Sequence, residues 1–76
     1  MRALCDITPG ERVRLFQIGG ERCFKRRLME LGFLPGTSVR LVRLVRIGDL
    51  VELEVRGSHI SLRRSEANQL LFEHDR

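Results

Sequence analysis

Arg26-Arg27-Leu28-Met29-Glu30-Leu31-Gly32-Phe33-Leu34-Pro35-Gly36-Thr37 is the stretch on which the fold depends, because the hydrophobic period changes inside it. Upstream of Gly32, residues Phe24, Leu28 and Leu31 fall at i, i+4 and i+7, the spacing that lines one face of a helix. Arg22, Lys25, Arg26 and Glu30 mostly take the opposite side. Glu21 stands in the first turn, where a carboxylate suits the helix dipole. Gly32 holds the place of a left-handed residue that closes a helix, and Pro35-Gly36 keeps the helix from resuming. The pattern predicts one helix over residues 21–31, of about three turns.

Downstream of that helix the period is two. Val39, Leu41 and Val45 share one face with Arg43, while Arg40, Val42, Leu44 and Arg46 share the other. Apolar residues on both faces suit a strand covered in part on each side, as in a small barrel. Gly48-Asp49 reads as a turn, after which Val51, Leu53 and Val55 point inward and Glu52, Glu54 and Arg56 outward. Gly57-Ser58 turns the chain again, and Ile60 and Leu62 alternate with His59, Ser61 and Arg63. Ser65 is placed to cap one helical turn running to Asn68, with Glu66 in its first turn. Leu70 to Glu73 reads as a last short strand, followed by a loose tail, His74-Asp75-Arg76.

Upstream of the helix, Arg12 to Ile18 alternates, with Val13 and Leu15 on one face and Arg12, Arg14 and Phe16 on the other. Gly19-Gly20 ends this strand. Leu4 to Ile7 is a short lead-in closed by Thr8-Pro9-Gly10. The whole predicts a mostly β architecture: five or six short antiparallel strands with one inserted helix, closed into a small SH3-like or OB-like barrel.

The chain has 76 residues, which suits one domain over 1–76. A core of this size carries modest stability. No apolar run approaches the ~20 residues of a membrane span. Met1 to Asp6 reaches an acid before any apolar run develops, so a signal peptide is not expected and a cytoplasmic location is. The net charge is +4, carried by arginines and a single lysine, Lys25. That balance favours anionic partners, whether nucleic acid, an acidic protein face or an inner membrane surface, although arginines scattered among acids also describe an ordinary solvated surface.

The segment from Arg26 to Thr37 resembles the signature of FeoA proteins: a basic helix end, Leu-Gly, then a Pro-Gly-Thr turn feeding a strand. Leu4 to Gly10 is similar to the family's opening Leu-x-x-Leu-x-x-Gly, with Ile7 in place of the second Leu. Gly48-Asp49, Arg56-Gly57, Ile60-Ser61-Leu62-Arg63 and Glu66-Ala67 follow in the family's order, so the resemblance spans about residues 4–73. It implies an SH3-like barrel and a non-enzymatic cytosolic accessory to ferrous-iron uptake. The implied partner is the membrane transporter FeoB, through its cytosolic GTP-binding region. A related SH3-like domain ends some iron-dependent repressors. With no helix-turn-helix ahead of the barrel, a stand-alone accessory is the expectation here.

Candidate contact residues follow from these readings. Arg26 and Arg27 offer guanidinium forks to a carboxylate or phosphate beside the segment Leu31, Gly32, Phe33, Leu34, Pro35, Gly36 and Thr37. Gly48 and Asp49 sit at a hairpin tip, where rigid barrels often carry recognition. Each has a plainer reading, in which the apolar residues and glycines end the helix and the hairpin while the arginines face water. Val42 and Leu44 are candidates for a homo-oligomer contact at exposed strand edges.

Catalysis, a small-molecule substrate and a cofactor find no motif: Ser58-His59 lacks an orienting acid, and no phosphate-binding loop is present. Cys5, Cys23, His59 and His74 are of metal-binding type, but their spacing matches no metal motif, and no metal site is assigned. Cys23 is expected to pack as a small hydrophobe. The rival reading is a barrel that binds single-stranded nucleic acid. It needs exposed aromatics for base stacking, a role open to Phe16 and Phe33, with Phe24 and Phe72 read as core.

Overall fold

The computed structural model describes residues 1–74. Strand β1 (Arg2–Ala3) leads into a 3-10 turn (Leu4–Asp6), strand β2 (Arg12–Ile18) and helix α1 (Arg22–Glu30). Strands β3 (Ser38–Val45), β4 (Leu50–Val55) and β5 (Ser58–Arg63) follow, then the single turn α2 (Arg64–Ala67) and strand β6 (Leu70–His74). Among the described residues the six strands form one antiparallel sheet in the order β1-β6-β2-β3-β4-β5, curled into an SH3-like barrel. Strand β6 runs one residue further than expected, so His74 belongs to it and not to a loose tail. Asp75 and Arg76 lie outside the described residues.

Period-two alternation builds the core. Val13, Leu15, Val39, Leu41, Val51, Leu53, Val55, Leu62, Leu70 and Phe72 are all buried, and Leu28 of α1 closes over them. Two bulges change the count. Leu15 pairs with Phe72 and Gln17 with Leu71, so Phe16 is the extra residue of β2, and Ile18 rather than Gln17 turns inward. Leu41 pairs with Leu53 and Arg43 with Glu52, so Val42 is the extra residue of β3. The expected faces of β3 are therefore corrected past Leu41: Arg43 joins Glu52 on the outside, and Leu44 stands opposite the inward Val51.

The helix ends differently from the expected apolar face of Phe24, Leu28 and Leu31. Gly32 adopts φ +106°. Its N–H donates to the Met29 carbonyl at 3.1 Å, and the Phe33 N–H donates to the Leu28 carbonyl at 3.0 Å. This double closure is a Schellman motif, which folds the chain back on the last helical turn. It carries Phe33 into the core at 0% exposure, while Leu31 is left 46% exposed. The expectations of an inward Leu31 and an exposed Phe33 are both corrected by it. Cys23 is exposed as well, on the side of α1 away from Leu28, so it does not pack as a core hydrophobe.

Smaller adjustments concern turns and caps. The β4–β5 hairpin turns at Arg56-Gly57, both with positive φ, and Ser58 already pairs with Val55. Ser65 lies inside α2; the cap is made by Glu66, whose carboxylate accepts the Arg63 N–H at 3.0 Å.

Candidate functional site

The segment from Leu31 to Thr37 joins α1 to β3, is fastened to β2 by the bonds from Gly36 N–H to the Leu15 carbonyl and from Leu15 N–H to the Thr37 carbonyl, and borders three separate depressions. Leu31 joins Arg27, Leu50, Ser61, Arg63 and Glu66 along a groove of about 550 Å³. Pro35 joins Phe16, Lys25 and Met29 around an apolar notch of about 200 Å³ between α1 and β2. Gly36 and Thr37 border a polar hollow with Arg12, Ser38, Glu54 and Arg56. Phe33, buried between them, anchors the loop, and Leu34 is half-buried. Gly32 shapes the path and offers no side chain.

The two arginines of the helix end are unlike. Arg27 donates to the Glu66 carboxylate and lies 5.6 Å from the Phe24 ring centroid, a cation–π arrangement. The Arg63 N–H and then the Arg27 guanidinium hold the Glu66 carboxyl below its usual range. Arg26 is exposed and forms no ion pair with a described residue. One turn before Met29, it shares an outward helix face with Arg22 and Lys25, beside the apolar notch. The arginine available to a partner is therefore Arg26.

The hairpin turn between β3 and β4 is held from two directions. The Asp49 N–H donates to the Arg46 carbonyl at 3.1 Å, and the Asp49 carbonyl accepts the Arg64 N–H at 2.9 Å. Gly48 and Asp49 take φ of +81° and +51°. Ile47, which sequence reasoning passed over, is 89% exposed at the tip, with Leu44 42% exposed beside it. An aliphatic residue set in a polar turn between Arg46 and Gly48 was the available signal.

On the outer sheet face, Arg40 pairs with Glu54 at 2.8 Å and Arg43 with Glu52 at 2.9 Å. His59 Nδ1 lies 2.8 Å from Glu52, so the ring is engaged by a carboxylate on the neighbouring strand. The His59 contact, then Arg43, holds the Glu52 carboxyl below its usual range. Cys5 and Cys23 are exposed free thiols, and among the described residues no three His, Cys, Asp or Glu side chains gather as a metal site. Phe16 is the one phenylalanine among the described residues that is classed as exposed. No described helix is long and apolar enough to cross a membrane.

Comparison with known proteins bears on the fold and the family. The FeoA domain model matches residues 2–74. The chain is 26% identical over 70 residues to an Fe(2+) transport protein A/Fe(2+) transporter FeoB fusion protein of Porphyromonas gingivalis. That alignment covers 92% of this chain and 8% of the fusion protein, so the chain spans a small part of that relative. The solution structure of FeoA from Chlorobium tepidum superposes with a TM-score of 0.87 at 27% identity, covering 96% of this chain and 70% of the other. The manganese-activated repressor ScaR shares the fold alone, with a TM-score of 0.83 at 22% identity over 96% of this chain and 35% of the repressor. With the family's domain matched from Arg2 to His74 and the fold of a FeoA structure shared over 96% of the chain's length, this chain belongs to the FeoA family.

Proposed function

We propose that this chain is a non-enzymatic, cytosolic accessory protein of ferrous-iron uptake that docks on the cytosolic part of a FeoB-type transporter. The observation that carries the reading is the fused relative, in which a segment matching 92% of this chain shares one polypeptide with FeoB. Joining two modules raises their effective concentration for each other, and such fusions are useful where the modules work in contact. The contact surface is the outward face of α1, with Arg26 and Lys25 beside the notch of Phe16, Met29 and Pro35. An apolar partner side chain fills the notch, and acidic groups around it meet the two cations.

An amide NMR titration with the cytosolic GTP-binding region of the chain's own transporter tests this. Shifts are expected at Phe16, Lys25, Arg26 and Met29, and Arg26→Glu should weaken binding by roughly tenfold. Unchanged affinity in that variant removes this surface from the reading. A silent spectrum against the whole transporter removes docking itself.

A further inference from the structure

We infer that the β3–β4 hairpin tip is a membrane-contact element, which sets Ile47 into the headgroup boundary of an anionic phospholipid bilayer. Ile47 is 89% exposed, more than any other large apolar side chain among the described residues, and Leu44 adds a second apolar surface on the same hairpin. The tip is preorganised: its turn is closed by the bond from Asp49 N–H to the Arg46 carbonyl and fastened to α2 through the Arg64 N–H. Exposure here is thus a fixed presentation of the side chain.

Charge at this end of the barrel selects the surface. Arg46 belongs to the turn, and the β4–β5 register places Arg63 opposite Leu50, with Arg64 next in the chain. Two acids stand among these cations: Asp49, whose carboxylate lies 3.8 Å from Arg64, and Glu66, which is already paired with a fourth cation, Arg27, so the surface keeps a positive balance. A bilayer with anionic headgroups complements this arrangement. The aliphatic tip reaches the acyl boundary, while guanidinium groups set back from it remain among the phosphates. A protein pocket would more often meet an aromatic anchor inside a packed contact patch, and the tip offers one branched aliphatic on a convex turn. This contact goes beyond docking on a transporter and stands whether or not that docking occurs.

The test is flotation of the full chain with phosphatidylcholine vesicles and with vesicles of phosphatidylcholine and phosphatidylglycerol. The variants are Ile47→Asp, Ile47→Leu and Arg46→Glu, with amide spectra to verify that each is folded. Binding is expected to the anionic vesicles alone and to weaken as salt rises. Ile47→Asp should lower the partition coefficient by about tenfold or more, since one buried aliphatic side chain is worth at least that factor. Ile47→Leu should keep it, and spin-labelled lipid should broaden the amides of residues 44–48 first. The inference is overturned if anionic vesicles do not bind the protein, or if Ile47→Asp binds them as the wild type does. It is also overturned if the broadened amides lie elsewhere, or if the soluble transporter region binds in an Ile47-dependent way while vesicles do not.

Discussion

Gly32 and Glu11 show how far single residues set the structure. Gly32 sits at φ +106°, and a Cβ there would meet Val55 Cγ1 at an ordinary 3.5 Å, so backbone strain is the main cost of a side chain. Gly32→Ala should lose about 1–2 kcal/mol in urea unfolding. Glu11 accepts from the Arg2 guanidinium and from the Thr8 N–H at 3.1 Å, which lowers its pKa from 4.5 to about 2. A carboxyl depressed on folding stabilises the protein above its unfolded pKa and loses that effect as pH falls toward the folded value. Glu11→Gln should therefore be less stable than wild type at neutral pH, with a gap that closes between about pH 4.5 and about pH 2. A gap independent of pH in denaturant titrations would mean that the pair with Arg2 does not form in solution. Gly32 was legible in the sequence as a helix stop. The burial of Phe33 was legible too, had the Schellman pattern of apolar residues on either side of Gly32 been read together. Nothing in the sequence foretold the engagement of Arg27 by Glu66, because that contact joins residues distant in the chain.

At the scale of elements, α1 divides its apolar residues by depth. Leu28 is fully buried and Leu31 is 46% exposed. Leu28→Ala should cost about 2–5 kcal/mol, and Leu31→Ala about 0.5 kcal/mol or less, measured side by side by thermal or urea unfolding. Equal losses would mean that the helix is rotated from the orientation described. Strands β2 to β6 and both hairpins were readable from alternation and glycine turns, whereas β1 is too short to alternate and is defined by its pairing with β6. The bulges at Phe16 and Val42 were not, because a bulge is a property of the paired strands, and one strand's alternation does not report its partner's register. Their effect on the surface is direct. The first turns Ile18 rather than Gln17 inward and leaves Phe16 outside, where it lines the notch beside Met29, and the second turns Arg43 out toward Glu52.

Across the whole molecule, the candidate surface was legible as a segment and not as a place. Residues 31–37 are contiguous in the chain, yet the barrel distributes them over three depressions and brings in Arg12, Phe16 and Leu50 from strands and Arg56 from the β4–β5 turn. Contacts of that kind depend on strand order. The same order has a kinetic consequence. Strands β3, β4 and β5 pair with their sequence neighbours, whereas β2 waits for β6, as in the pairing of Leu15 with Phe72 across most of the chain. Closing short loops costs less entropy than closing long ones, so the meander is the natural folding nucleus and β6 docks late. In stopped-flow chevrons, Val51→Ala should chiefly slow refolding and Leu70→Ala chiefly speed unfolding. During synthesis on the ribosome, the meander then emerges and folds while one flank of β2 still lacks its partner, and that open edge is the nascent chain's period of greatest exposure to misassociation.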